Sequence, residues 1–194
     1  MTRTVLLDID ECLADQAGAI VDFAATRGFT FQDPIGHPEG WHAKTWFGAG
    51  NEDAMLQLFS QYGETILAKA DPVPGAHDAL HALSGDFRLV ACTGRKHVYR
   101  DVTEQFLERH FAGLIDDLVM CDTPGDDIKK HDVYNAVNAL VLVDDLPQYL
   151  EPLGERGLTG LYLQRQYSWQ IPITHPSIIE ANGWNHAVEL LRGL

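Results

Sequence analysis

Five short apolar segments, spaced along the chain with helical patterns between them, constrain the fold more than any other feature of this sequence. Three of the five are continuous rather than alternating, which is typical of strands in a parallel sheet covered by helices on both faces. The segments span residues 4–10, 87–93, 114–121, 139–145 and 158–164. Strands that alternate with helices in this way predict an α/β doubly wound fold.

Helical patterns occupy the intervals between these segments, with apolar residues recurring at the spacing of one helix face. Pro147 stands near the start of one of them, a position that a helix tolerates well. The predicted helices span residues 96–110, 130–138, 146–156 and 185–192.

One connection is too long for a single crossover, because 76 residues separate Asp10 from Phe87. Two stretches within it, 17–29 and 51–70, predict helices, and the Gly-, Pro- and aromatic-rich stretch between them predicts an irregular loop. We therefore expect a small helical cap over residues 15–70, inserted into a core formed by residues 1–14 and 71–194. An insertion that leaves the end of the first strand would lie over the crevice where such sheets bind ligands.

The charge and composition exclude several classes of partner. Lys and Arg total 14 against 28 Asp and Glu, a formal net charge of −14, so binding of a nucleic-acid polymer is not expected. No apolar run reaches the roughly 20 residues that a membrane span needs, and the N-terminus is too quickly acidic for a signal peptide. Three cysteines without a CxxC pair indicate reduced thiols and a cytoplasmic protein, expected as a monomer or homodimer.

Four groups of polar side chains fall at the predicted carboxyl ends of strands or at a crossover that faces them. In a parallel sheet these ends lie along one edge, so residues far apart in sequence converge there. Two carboxylates one residue apart on a strand also point the same way, which crowds charge on one face. The groups are Asp8 and Asp10, then Thr93 followed by Gly94, then Lys129 or Lys130, and finally Asp144 and Asp145.

Such a set supports phosphoryl transfer. Asp8 can attack phosphorus as a carboxylate nucleophile and form an aspartyl-phosphate, while Asp10 serves first as general acid and then as base. The Thr93 hydroxyl and one lysine ammonium can hold the phosphoryl oxygens. Mg²⁺, held by Asp8 with one or both of Asp144 and Asp145, would offset the crowding of carboxylates.

The order and spacing of these groups resemble the haloacid-dehalogenase superfamily of phosphotransferases. The stretch "DIDECLAD" is similar to its first motif, "CTG" to its second, the lysine to its third and "VDD" to its fourth. Within the superfamily the sequence most resembles the 5'(3')-deoxyribonucleotidases, or type C 5'-nucleotidases. The features that carry this closer resemblance are "LAD" after the DxD, the small cap, "DPVPGAHDAL" and "NGWNHAVELL".

The resemblance implies a Rossmann-like core with a cap, Mg²⁺ dependence and hydrolysis of nucleoside monophosphates. It makes Asp8 the nucleophile and Asp10 the acid and base, with the main-chain carbonyl of Asp10 also meeting the metal. It assigns phosphate binding to Thr93 and one lysine, and Mg²⁺ binding to Asp144, alone or with Asp145. The family usually has glycine where this chain has Glu11, which predicts an altered loop or a narrower pocket.

The substrate is less constrained than the reaction. Trp41, Trp46 and Phe47 in the cap could stack on a nucleobase, or could pin the cap to the core. Arg95 could help to hold phosphate, or could simply begin a helix. Two alternatives therefore stand beside the nucleotidase: a phosphatase for another small phosphomonoester such as a sugar phosphate, and a non-catalytic binding protein on the same scaffold.

Overall fold

Six parallel strands form the central sheet of this computed structural model, which describes residues 2–27, 52–122, 127–165, 173 and 175–194. Their spatial order is β3-β2-β1-β4-β5-β6. The strands β2 and β3 therefore lie on one side of β1, and β4, β5 and β6 lie on the other. The order reverses between β1 and β4, the place where doubly wound sheets open a crevice for ligands. In chain order the strands are β1 (Arg3–Leu7), β2 (Phe87–Thr93), β3 (Asp117–Met120), β4 (Ala139–Asp144), β5 (Gly160–Gln164) and β6 (Ile178–Asn182).

Helices cover both faces of the sheet, and the predicted α/β doubly wound fold is confirmed. No helix within the described ranges is both long enough and apolar enough to cross a membrane. The helices are α1 (Gln16–Ala25), α2 (Glu52–Leu67), α3 (Ala76–Leu83), α4 (Arg100–Phe111), α5 (Lys130–Ala136), α6 (Pro147–Glu155) and α7 (Gly183–Gly193), with a 3₁₀ turn at His97–Tyr99.

The core lies in two layers because successive strand residues point to opposite faces. Leu7 on β1 belongs to the larger apolar cluster, which also takes in residues of α1 to α4 and α7. Leu6 belongs to the smaller cluster, with residues of α5 and α6. Burial on both faces explains why the strand segments are continuously apolar in the sequence.

The observed strands differ from the predicted ones chiefly in β1, in β3 and in a strand that the pattern missed. β1 ends at Leu7 rather than at residue 10, because the chain turns there, with Leu13 and Ala14 both donating to the carbonyl of Ile9 at 2.8 Å. β3 is four residues long and lies at the sheet edge. The sixth strand, Ile178–Asn182, was not predicted, because its apolar run is short and interrupted by Glu180.

The described part of the long connection contains α1 and α2, where the pattern predicted two helices, and then α3, which leads into β2. The rings of Phe23 on α1 and Tyr62 on α2 lie with centroids 5.3 Å apart, and the Arg27 guanidinium lies 4.4 Å from the Tyr62 centroid. Ile20 and Leu58, one from each helix, join the same apolar cluster as the sheet. The boundary of a cap at residues 15–70 stays a prediction, and Trp41, Trp46 and Phe47 lie outside the described residues.

Candidate active site

The candidate site lies at the carboxyl edge of β1 and β4. Leu7 pairs with Val143, and the next residue, Asp8, donates its amide to the Val143 carbonyl at 2.9 Å. Asp8 and Asp144 are therefore neighbours just where the two strands end. Thr93 is the last residue of β2, on the other side of β1, and is buried at the same edge.

Lys130 joins the carboxylates of these two strands. Its side chain is 1% exposed, and its Nζ donates to Asp8 Oδ1 and to Asp144 Oδ2, both at 2.6 Å. Its main-chain amide donates to Asp122 Oδ2 at 2.7 Å, which anchors the start of α5. The second oxygen of Asp144 accepts the Leu146 amide at 2.9 Å. Asp144 is thus held at both oxygens.

The sequence left open whether Lys129 or Lys130 lies in the site, and the structure gives these two lysines different surroundings. Lys129 is the N-cap of α5, and its side chain is 46% exposed, with Nζ 3.4 Å from Asp122 Oδ1. Lys130 is the first helical residue and points into the site. A difference of one position at the start of α5 therefore decides which lysine meets the carboxylates of Asp8 and Asp144.

Asp145 also lies close to Asp8. A carboxylate oxygen of each, together with Cys12 Sγ, lies within 4.8 Å of the others, and all three residues are buried. The two oxygens are the hard ligands that Mg²⁺ prefers. Cys12 fits such an ion poorly, since burial raises the pKa of its thiol well above the usual value and keeps the sulfur protonated.

The buried charges also fit a divalent cation. Among the described residues, the buried carboxylates, lysines and arginines are Asp8, Glu11, Asp144, Asp145, Arg95 and Lys130. Four negative and two positive groups leave a charge of −2 when all are ionised. Because uncompensated charge is costly in the interior, a divalent cation at Asp8 and Asp145 would balance the site.

The pKa values of the buried groups reflect the same excess of negative charge. Burial raises the pKa of Asp8 to about 7, against the opposing effect of Lys130, and Asp144 and Asp10 raise it further. Burial also raises the pKa of Asp145 well above its usual range, with Asp144, Asp8 and Glu11 adding to the shift. Burial alone would lower the pKa of Lys130, but Asp144 and Asp8 outweigh it and hold that pKa well above the usual value. The lysine is therefore a fixed positive charge.

Asp10 occupies a different environment, in contact with Arg95. Its side chain is 20% exposed, and Arg95 donates from Nε at 3.0 and 3.1 Å to both carboxylate oxygens and from Nη2 to Oδ1 at 2.6 Å. The buried guanidinium is held in turn by Nη1 donating to Thr103 Oγ1 at 3.1 Å. Arg95, predicted as a phosphate ligand or a helix start, here holds the carboxylate of Asp10.

Glu11 connects the loop after β1 to two other elements. It has a φ of 58°, a left-handed conformation that costs a non-glycine residue roughly 1–2 kcal/mol. Its buried side chain accepts the Ala17 amide on Oε1 at 2.6 Å, and Arg165 Nη1 donates to Oε2 at 2.7 Å. The loop is thereby tied to α1 and to the end of β5, and the strain is offset.

Sequence reasoning missed Arg165 and Tyr149. Arg165 follows β5 directly, so its place at the carboxyl edge was the available signal. Tyr149 lies in the first turn of α6, and no motif pointed to it; its ring faces the Lys130 ammonium. Gly94 begins the turn after Thr93, as the sequence placed it.

Comparison with known proteins gives a result for the fold and none for the sequence. No family model matches the chain, and no curated protein matches it. Solved structures match over almost all of it. YfnB from Bacillus subtilis, a proposed hydrolase of the haloacid-dehalogenase (HAD) superfamily with magnesium bound, aligns over 98% of this chain and 99% of its own, with a TM-score of 0.66 at 13% identity.

Two further structures carry different activities in their names. The defluorinating L-2-haloacid dehalogenase Rha0230 aligns over 98% of this chain and 95% of its own, with a TM-score of 0.65 at 14% identity. A proposed β-phosphoglucomutase from Thermotoga maritima aligns over 99% of both chains, with a TM-score of 0.62 at 14% identity. The chain has the HAD-like fold. At these identities the likeness concerns the HAD-like fold alone, so the reaction has to be argued from the site.

Proposed function

We propose that this protein is a Mg²⁺-dependent phosphomonoester hydrolase that acts through an aspartyl-phosphate on Asp8. The observation that carries the proposal is the contact between Asp8 and Lys130. A buried carboxylate at the end of β1 is held at 2.6 Å by a buried ammonium, beside a second carboxylate, Asp145. This arrangement presents a nucleophile and a cation at one edge of the sheet, which is what phosphoryl transfer requires.

In the first step a carboxylate oxygen of Asp8 attacks the phosphorus atom, and the bond from phosphorus to the leaving alcohol oxygen breaks. Asp10 serves as the general acid of this step and gives a proton to that oxygen. Lys130 and the Thr93 hydroxyl stabilise the phosphoryl oxygens while charge shifts between them. The products of the step are the free alcohol and the aspartyl-phosphate.

In the second step a water molecule attacks the phosphorus of the aspartyl-phosphate, and Asp10 takes a proton from that water. The bond from phosphorus to the Asp8 oxygen breaks, which restores the carboxylate and releases inorganic phosphate. Arg95 keeps Asp10 oriented at both stages, since its guanidinium contacts both carboxylate oxygens.

The residues that would hold Mg²⁺ are Asp8, Asp145 and the main-chain carbonyl of Asp10. Asp144 is less suited, because Lys130 and the Leu146 amide engage both of its oxygens. When bound, the ion supplies positive charge that keeps Asp8 ionised and offsets the charge of the phosphoryl oxygens.

Asp10 also favours phosphate ester hydrolysis over dehalogenation. A halide leaves as a stable anion and needs no proton, whereas an alkoxide leaving group requires a general acid. The carboxylate of Asp10, which the buried Arg95 guanidinium holds, can supply the proton that ester hydrolysis needs. Dehalogenation has no use for such a proton.

A nucleoside monophosphate is the substrate class that we favour, on the strength of the sequence resemblance to the deoxyribonucleotidases. A sugar phosphate is the second candidate, and the structural likeness to a proposed β-phosphoglucomutase supports it. Both share the phosphate group and differ in the alcohol that leaves, so the two candidates predict the same chemistry at Asp8.

The test is phosphate release from a panel of ribo- and deoxyribonucleoside monophosphates and sugar phosphates, with Mg²⁺ and with EDTA. The Asp8→Asn variant serves as the inactive form, and Asp78→Asn, at an exposed carboxylate on α3, is the matched control. We expect Mg²⁺-dependent turnover that Asp8→Asn abolishes and Asp78→Asn retains. Turnover of sugar phosphates alone would overturn the nucleotide assignment, and no turnover of any phosphomonoester would overturn the function.

The same proposal places the protein in the cytoplasm. Its three cysteines are buried free thiols, which is typical of reducing compartments. It acts on a small molecule as a monomer or homodimer, with neither a nucleic-acid polymer nor a membrane as partner, in keeping with its net charge of −14.

A further inference from the structure

The ammonium of Lys130 has three N–H groups, and two of them donate to Asp8 and Asp144. An aromatic ring lies on a further side. The centroid of the Tyr149 ring is 4.0 Å from Lys130 Nζ, well inside the distance at which a cation is attracted to a ring face. Two carboxylates and one ring therefore surround the cation that the proposed reaction uses.

The start of α6 determines where this ring lies. The helix begins at Pro147, two residues after the Asp144–Asp145 pair, and the Tyr149 amide donates to the Leu146 carbonyl at 3.2 Å. Tyr149 is thus held in the first turn of a helix that leaves the carboxyl edge of the sheet. The side chain is half-buried and lies over the edge rather than in the core.

The hydroxyl end of Tyr149 reaches the turn after β2. A Cβ atom placed on Gly94 would lie 3.3 Å from the Tyr149 hydroxyl oxygen, closer than most such contacts. Gly94 follows Thr93, the residue to which the proposed function assigns phosphate binding. One tyrosine thus packs against both Lys130 and the phosphate-binding turn, and a side chain at Gly94 would push it away.

The ring also suits a site already crowded with negative charge. Burial raises the pKa of the Tyr149 hydroxyl, so the side chain stays neutral. A neutral ring attracts the ammonium without adding a charge beside Asp8, and it occupies a side from which water could solvate the lysine. The attraction is strongest for a desolvated cation, and Lys130 is fully buried.

We propose that Tyr149 is a positioning residue for Lys130, whose ring holds the ammonium between Asp8 and Asp144. The inference rests on the proposed function, in which Lys130 stabilises the transferring phosphoryl group. Without the ring, the lysine side chain gains rotamers that turn its ammonium away from the phosphoryl group. Such a loss lowers kcat more than it raises KM, because the interaction is needed most in the transition state.

The test compares Tyr149→Leu with Tyr149→Phe, since phenylalanine keeps the ring and leucine does not. We expect Tyr149→Leu to lower kcat roughly tenfold, which corresponds to about 1.4 kcal/mol, and Tyr149→Phe to stay within about twofold of the wild type. Tyr62→Leu is the matched control, because it removes a ring that pairs with Arg27 far along the sequence from Lys130. Equal losses in the Leu and Phe variants would overturn a role for the ring.

The Lys130→Met background separates positioning from general loss of packing. In that background Tyr149→Leu should cost no further activity, because there is no ammonium left to position. The same tenfold loss in both backgrounds would show that Tyr149 acts independently of Lys130, and would overturn the inference.

A second measurement does not depend on turnover. Urea unfolding of the two single variants and the double variant gives the coupling between Tyr149 and Lys130. Favourable coupling is expected, and its absence would overturn the contact itself. If the wild type hydrolyses no phosphomonoester while coupling is present, the proposed function fails and the positioning of Lys130 by Tyr149 stands.

Discussion

Asp8 and Asp10 are two residues apart in sequence, yet the structure gives them opposite surroundings. Asp8 is buried among Asp144, Asp145 and a single lysine, and its pKa rises to about 7. Asp10 is partly exposed and is held at both oxygens by the guanidinium of Arg95. Negative charge therefore exceeds positive charge around Asp8, whereas Asp10 is paired with the guanidinium of Arg95.

This difference matches the two roles that the proposed function gives to one residue type. In the proposed reaction, a carboxylate beside a second carboxylate and a lysine is suited to attack a phosphoryl group once a bound cation offsets the crowded negative charge. A carboxylate oriented by a two-point guanidinium contact is suited to exchange a proton at a fixed place. Under the proposed function, the surroundings rather than the side chain itself assign the roles of nucleophile and acid–base group.

The largest expected effect separates the two carboxylates. Asp8→Asn should lower kcat by more than about 10⁴-fold for every substrate, since no carboxylate oxygen remains to attack phosphorus. Asp10→Asn should lower kcat by about 10²–10⁴-fold for an alkyl phosphate. The loss should be much smaller for the first step with p-nitrophenyl phosphate, whose leaving group needs no proton.

Pre-steady-state release of nitrophenolate measures that first step. A burst in Asp10→Asn, followed by slow turnover, would match a base that is missing only in the second step. Equal losses of the burst rate for both leaving groups would break the proposed division of roles.

The next effect concerns metal, pH and stability. The pKa of Asp8 is about 7 in the folded protein and near 3.8 when the chain is unfolded. Between those pH values the unfolded chain has released a proton that the folded chain retains, so metal-free stability falls as pH rises through this window. Mg²⁺ should restore it by about 2.7 kcal/mol at 100 times its Kd, more at pH 8 than at pH 5.

Thermal unfolding with Mg²⁺ and with EDTA at several pH values measures this effect. Asp8→Asn should flatten both the pH dependence and the response to Mg²⁺. An equal Mg²⁺ response at pH 5 and pH 8 would show that the ion does not act through Asp8.

A smaller effect is expected at the ion pair of Arg165 with Glu11, which follows Asp10 in the loop after β1. Glu11→Gln keeps an acceptor for the Ala17 amide but removes the charge opposite Arg165. We expect a loss of about 2 kcal/mol in the free energy of unfolding, measured in urea. Glu104→Gln, at an exposed pair with Arg100, is the control and should cost about 0.5 kcal/mol or less.

The smallest effect tests the guanidinium that orients Asp10. Arg95→Lys keeps the charge but loses the two-point contact, so kcat should fall roughly tenfold for an alkyl phosphate. In an Asp10→Asn background the same substitution should have no further effect. Arg100→Lys, at an exposed arginine on α4, is the control. A full loss in both backgrounds would show that Arg95 acts on the substrate rather than on Asp10.

The fold was predictable because its signals are local and redundant. Continuous apolar runs and helical spacing identified five of the six strands and the order of layers. Among the described residues the missed strand, Ile178–Asn182, pairs with β5 alone at the sheet edge, and only some of its residues are buried, so its sequence is only partly apolar. The end of β1 was placed three residues late because the turn at Ile9 depends on backbone contacts that no pattern encodes.

The sequence predicted which strand ends contribute residues to the candidate site, but not which of those side chains contact each other. Parallel topology alone brings the ends of β1, β2 and β4 together, so Asp8, Thr93 and Asp144 converge whatever the details. The sequence could not choose Lys130 over Lys129, since they differ by one step of helix phase. It also could not find Arg165 or Tyr149, which reach the site through side-chain direction.

The doubly wound sheet and the edge at which its polar residues gather could be predicted from the residues alone, because burial patterns and strand ends follow from local periodicity. Tertiary structure decided which charge faces which: Lys130 against Asp8 and Asp144, Arg95 against Asp10, and Arg165 against Glu11. These pairings depend on where each side chain ends in space. An ion pair depends on about an ångström of side-chain placement between segments far apart in the chain, and no local pattern carries that distance.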